Sequence, residues 1–148
     1  MADTQVGALQ SAFRHVADAR FLLTEGRFHQ AYHLAGFGPE CARKAVPGLL
    51  KFAKAIGHDV APDDLLRTLF AALENDGHRY DWDQLIDWRS SYPTLAEWTP
   101  IVRYTGNKEA PAGEPATATQ LVDEAEEVTF KVLASLYADG AFPEGVFQ

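Results

Sequence analysis

Cysteine is nearly missing from this chain: Cys41 is the only one in 148 residues. A lone cysteine excludes an internal disulfide and a cysteine-based zinc cluster. No apolar run approaches the ~20 residues needed to cross a bilayer, so no membrane association is predicted. The start, Met1-Ala2-Asp3-Thr4-Gln5-Val6-Gly7, lacks a basic stretch followed by an apolar core. That predicts a protein with no secretory signal, placed in the cytoplasm. Positive charge is scarce, with 13 Lys and Arg against 21 Asp and Glu and a net charge of −8. Broad, sequence-independent nucleic-acid binding needs cationic surface and counterion release, and this balance argues against it. No glycine-rich phosphate loop, serine nucleophile elbow or paired-carboxylate motif is present. No histidine follows His78.

What the chain does have is helical periodicity. Hydrophobic residues make up 47% and charged residues 23%, the balance of an ordinary globule. No long alternation of apolar and polar residues occurs, so no sheet is predicted. Leu9, Phe13, Val16, Arg20 and Leu23 fall at helical spacing over about 5–25, and Gly26 is a good terminator. A second helix opens near Arg27 and runs toward Ile56. Gly38-Pro39 and Pro47-Gly48 interrupt it, which predicts either a bent rod or two to three pieces ending by Gly57.

Further along, Pro62, Asp63 and Asp64 suit a helix start, with an apolar stripe to about Glu74. Asp81-Trp82-Asp83-Gln84 predicts a short helix from Trp82 to Arg89. Thr94-Leu95-Ala96-Glu97 reads as a capping box whose helix Pro100 limits to about a turn. Residues 105–116 are poor in apolar residues and predict a mobile loop. Thr117-Ala118-Thr119-Gln120 then caps a last helix to about Ala138, with Leu121, Ala125, Val128, Val132 and Leu136 on one face. Phe142 and Phe147 either pack the tail or leave it frayed.

The stretch 18–45 is the most informative. One helix ends in Glu25-Gly26-Arg27-Phe28, and a second runs back with Ala31, Ala35, Gly36, Gly38, Ala42 and Ala45. Small residues allow close backbone approach. Tyr32, Glu40 and Lys44 share that helix, and Glu40 and Lys44 are spaced to pair.

The Glu-Gly-Arg-Phe hairpin and the run Ala35-Gly36-Phe37-Gly38-Pro39-Glu40-Cys41-Ala42-Arg43-Lys44-Ala45 resemble the HEPN superfamily (higher eukaryotes and prokaryotes nucleotide-binding domain). Arg103-Tyr104 before a loop, and Ala118, Leu121, Ala125 and Leu133 in the last helix, are similar to it too. The resemblance covers about residues 8–138. It implies a single all-α domain over 1–148, an up-and-down bundle of four to five helices with a kinked second helix. It also implies a homodimer, and a role of toxin–antitoxin or defence type. Nucleotide or RNA phosphate would be the ligand, and a nucleotidyltransferase-type antitoxin a possible kind of protein partner. Active ribonucleases of the family carry an arginine, a polar residue and then a histidine four to six residues on. Arg103 matches the arginine, but no histidine follows it, which argues against ribonuclease activity.

Several side chains are candidates for a site, and each has a plain structural alternative. An Arg103 fork suits phosphate and Tyr104 could stack on a base, with Asn107 and Lys108 as added donors. The alternative is an arginine that seals the bundle and a tyrosine that fills the core. Glu40 and Lys44 are either an intrahelical ion pair or, on the resemblance, a buried pair with Glu40 orienting Arg103. His29 and His33 are an i, i+4 pair with metal-binding spacing but without evident further ligands; histidines hydrogen-bonded to neighbours are the simpler account, and no metal or other cofactor is assigned. Arg27 and His33 mimic the arginine–histidine spacing in the wrong place. Cys41 reads as a small buried apolar group. A second reading of the whole chain is a non-catalytic helical module that binds another protein.

Overall fold

The computed structural model describes residues 2–45, 91–138 and 145–146. The expected helices at 62–74 and 82–89, and the stop at Gly57, lie outside them. Among the described residues every regular element is helical. They are α1 (Ala2–Thr24), α2 (Phe28–Ala35), α3 (Phe37–Lys44), a single-turn α4 (Pro93–Ala96), a 3-10 helix (Pro100–Tyr104) and α5 (Pro115–Ala138).

The first hairpin is made by Gly26. Its φ of 74° is left-handed. Gly26 N–H donates to Leu23 O (3.0 Å) and Arg27 N–H to Leu22 O (2.9 Å). Those two bonds are the Schellman arrangement, which closes α1 and reverses the chain at once. A Cβ at Gly26 would meet nothing within 4 Å, so only backbone conformation demands glycine here. Gly26→Ala is therefore expected to cost about 1 kcal/mol through the left-handed φ alone. Urea unfolding should show a lower midpoint with unchanged slope.

The rod returning from that turn breaks into two pieces. Pro39 has no N–H and its ring would clash with the carbonyl four residues back. The helix restarts at Phe37, which puts Pro39 in the first turn of α3, where its missing N–H is harmless. Trp98 fills the break. Its Nε1–H donates to Tyr32 O (3.1 Å) and His33 O (3.2 Å), carbonyls of the last turn of α2.

α1 lies antiparallel to this broken rod and to α5. Gln5 Nε2 donates to Ala45 O at 3.0 Å, joining the start of α1 to the end of α3. Arg20 grips Glu126 through two bonds of 2.8 Å and Asp123 through one of 2.6 Å, tying α1 to α5. The interior is built from Leu9, Ala12, Val16, Tyr32, Leu121, Val128, Val132 and Leu136, with Leu95 and Trp98 closing one side. Small residues set the closest approaches, as the sequence predicts. A Cβ at Gly38 would sit 2.5 Å from Val16 Cγ1 and 3.2 Å from Thr129 Oγ1.

Two helix starts differ from expectation. α5 begins at Pro115, and Thr117 Oγ1 donates to Glu114 Oε2 at 3.0 Å rather than capping the helix itself. The box at Thr94–Glu97 does not form, because Tyr92 is the N-cap. Glu124 of α5 accepts the Thr94 N–H instead, at 3.2 Å. The 105–116 segment is folded on itself. Gly106 N–H donates to Glu109 Oε2 (2.8 Å), Gly113 N–H to Glu109 O (2.8 Å), and Ala112 is fully buried.

Candidate functional site

Where the α1–α2 turn meets this folded loop, a cavity of about 450 Å³ opens. Gly26, Arg27, Phe28, His29 and Gln30 line one wall, and Asn107, Lys108 and Gly113 the other. The loop wall depends on Gly113, where a Cβ would fall 2.4 Å from Lys108 C and 2.5 Å from Asn107 O. His29 links the walls, with Nε2 2.8 Å from Thr105 Oγ1. Arg27 and Lys108 bring positive charge, and Asn107 and Gln30 bring amide donors. The start of α2 has no side-chain cap, and its first turn contributes the positive end of the helix dipole. The arrangement suits an anion of nucleotide size.

The residues singled out in the sequence separate into three places. Asn107 and Lys108 line the cavity. Arg103 and Tyr104 stand together outside it, the guanidinium 5.0 Å from the Tyr104 ring centroid. Tyr104 is 77% exposed, so it does not fill the core. Glu40 and Lys44 pair with each other in α3, Nζ to Oε1 at 2.7 Å, with side chains only 5% and 15% exposed. No ion pair joins Glu40 to Arg103 among the described residues: Glu40 is buried in α3 and Arg103 is exposed on the 3-10 helix. Arg27, His29 and Gln30 belong to the cavity, although the sequence drew notice to Arg27 and His29 only through spacing to His33. The signal that could have found them was the Gly26-Arg27 helix start, a cation beside free backbone donors.

His33 points elsewhere. Its ring packs edge-on to Phe37 at 5.3 Å, and its Nε2 is buried with no partner among the described residues. Burial first, then the charge of Arg103 and the nearby His29, hold its pKa below the ordinary histidine value. His33 is therefore held neutral and does not share a ligand with His29. No group of three or more His, Cys, Asp or Glu with metal-holding geometry occurs among the described residues. Cys41 is half-buried, and burial followed by the Glu40 charge pushes its thiol up to about 11. Little thiolate forms at neutral pH, so Cys41 is a poor nucleophile. Tyr32, in the core between α2 and α5, is pushed up to about 12 by burial and by Glu97 and Glu124, and stays a neutral phenol.

Fold and cavity together define a helical domain with a cationic cleft at a helix start. No described helix is long and apolar enough to cross a membrane. No family model, curated protein or solved structure matches the chain.

Proposed function

We propose that this chain is a HEPN-like domain of toxin–antitoxin or defence type, acting as a homodimer, that recognises nucleotide or RNA phosphate without cleaving it. The single observation carrying the reading is the cavity shared by Arg27, Asn107 and Lys108. A phosphate there would meet the Arg27 guanidinium fork, the Lys108 ammonium, amide donors and the N-terminal end of α2. Arg103 and Tyr104, exposed just before the same loop, would take a neighbouring phosphate and base of a longer RNA. Glu40 and Lys44, paired with each other within α3, act at a distance by stabilising that helix. No histidine follows Arg103 in sequence, and His33, the histidine under Arg103's field, has its Nε2 buried, which weighs against the family's arginine–histidine cleavage at Arg103.

Calorimetry with nucleoside 5′-phosphates and short RNAs tests this. Arg27→Ala and Lys108→Ala should each weaken binding by about tenfold, the loss of one charge-assisted contact. Arg103→Ala should weaken RNA and spare the mononucleotide. Absence of heat with every ligand, or affinities untouched by Arg27→Ala and Lys108→Ala, would refute the reading.

The alternative is a non-catalytic protein-interaction module. The observation favouring it is a set of large apolar side chains on the surface: Phe21 at 63%, Ile101 at 64%, Phe130 at 51% and Tyr137 at 75% exposed. A stoichiometric protein partner that binds without nucleotide, and is lost on Phe130→Glu or Ile101→Glu, would favour it.

A further inference from the structure

The rings packed at the α2–α3 junction include two histidines. The Phe37 centroid lies 5.3 Å from that of His33 and 5.5 Å from that of His15. The same ring meets Trp98 edge-on at 4.8 Å. Trp98 in turn donates to Tyr32 O and His33 O. His33 therefore enters this stack by its ring and by its carbonyl. The stack can serve its ring in only one charge state. His33 Nε2 is buried and has no partner among the described residues. In the neutral ring that atom can be a bare lone pair, with the proton on Nδ1. The imidazolium has a hydrogen on both nitrogens, so charging the ring puts an N–H and positive charge where no acceptor exists.

The surrounding groups do not relieve that cost. Arg103 of the 3-10 helix is the permanent charge acting on His33, and it repels; His29 of α2 and His15 of α1 are the titratable neighbours. The acids bear on other groups. Asp18 of α1 and Glu40 of α3 act on His15, where Arg14 opposes them, and Glu97 beside Trp98 acts on Tyr32. Glu40 is also paired with Lys44. The carbonyl end of α2 attracts a cation, but the Trp98 indole already occupies two of its carbonyls. We infer that His33 is an acid-sensitive latch on the seat of Trp98: taking up a proton drives its ring out of the stack, which frees Phe37 and the indole and loosens the α2–α3 junction. Trp98 leads into the 3-10 helix Pro100–Tyr104, so its release also frees the segment that carries Arg103 and Tyr104. The inference does not depend on what the cavity binds. Burial and Arg103 hold folded His33 neutral, whereas the unfolded chain protonates it near the ordinary value of about 6.5. The latch is therefore closed above that pH and weakens as the pH falls below it. The proton comes from solvent, and no covalent bond changes.

Nitrogen-15 spectra of the native protein, followed from about pH 7.5 to about pH 5, test this directly. The His33 ring should titrate below the ordinary histidine value, and the Trp98 indole N–H, assigned by its absence in Trp98→Phe, should shift over the same range. Exchange of that N–H with solvent, corrected for the chemical rate at each pH, should be on the order of tenfold faster at about pH 5 than at about pH 7, while amides of α1 and α5 keep their protection. His33→Phe keeps a ring beside Phe37 and has no titrating nitrogen; its corrected indole exchange should be the same at both pH values. A His33 ring that titrates at or above the ordinary value overturns the inference, as does indole exchange that is equal at both pH values in the native protein. An equal rise in His33→Phe overturns it too, by assigning the effect to another group. Loss of α1 and α5 protection in step with the indole would make the event unfolding of the whole domain and remove the latch. The native titration and exchange decide the matter even where His33→Phe fails to fold.

Discussion

Gly36→Ala is expected to lower stability by about 2–6 kcal/mol, read as a loss of urea midpoint at unchanged slope. A Cβ at Gly36 would stand 2.1 Å from Trp98 Cδ2 and Cε2 and 2.6 Å from Cγ. Such distances cannot be absorbed unless the indole moves. The indole is held on several sides: it is 4% exposed, its N–H bonds both Tyr32 O and His33 O, and Phe37 meets it edge-on at 4.8 Å. Retreat therefore strands carbonyls at the end of α2 and opens the packing around Phe37. Overpacking alone costs about 1–3 kcal/mol, and leaving buried carbonyls unpaired adds about 1–3. Trp98→Phe keeps the packing in part and loses the N–H and some buried ring volume, so about 2–4 kcal/mol is expected for it. The two effects share one contact, and the double variant should fall short of their sum. A Gly36→Ala protein within about 1 kcal/mol of native would show that the α2–α3 junction is not held by this stack.

That junction shows which parts of the fold a sequence reader could see. Periodicity reports local geometry, so α1 and α5 were legible, and so was the stop at Gly26, whose left-handed φ only glycine adopts freely. Pro39 announced a break, and the break is there. What closes it is an indole 66 residues away from Tyr32, and no local pattern records such a partner. Thr94 and Glu97 failed for the same reason. They have capping-box spacing, but Glu124 reaches in from α5, 30 residues on, and takes the N–H. The cavity joins 26–30 to 107–113, segments linked by tertiary packing alone. Asn107 and Lys108 were picked out for their chemistry and do line it. Arg103 and Tyr104 have the same chemistry but sit on a 3-10 helix facing outward, an orientation that residue type cannot encode. The 105–116 loop is polar in composition, which reads as mobile, and says nothing of its contacts. Its path is shaped by bonds through Glu109 and Gly113 and by one buried alanine, and average hydrophobicity does not register those.

The Glu40–Lys44 pair gives the second large expected effect: Lys44→Met should cost about 3 kcal/mol. Its i, i+4 spacing alone would predict a few tenths, the value for a solvated helix pair. Burial changes the magnitude. Lys131 and Glu127 share that spacing at 3.1 Å with side chains 43% and 57% exposed, where screening leaves little. Glu40 and Lys44 are 2.7 Å apart at 5% and 15% exposure, where water cannot replace a lost partner. Methionine keeps most of lysine's apolar length, so the loss reports the missing ammonium rather than a cavity. Glu40→Gln in the Lys44→Met background takes away the buried negative charge and should restore part of the stability, because a neutral amide is far less costly to bury than a carboxylate. The cycle formed by the native protein, both single variants and the double variant should give a coupling of about 1.5–3 kcal/mol. A coupling below about 0.5 kcal/mol would reduce the pair to the worth of a surface contact and remove its assigned part in stabilising α3.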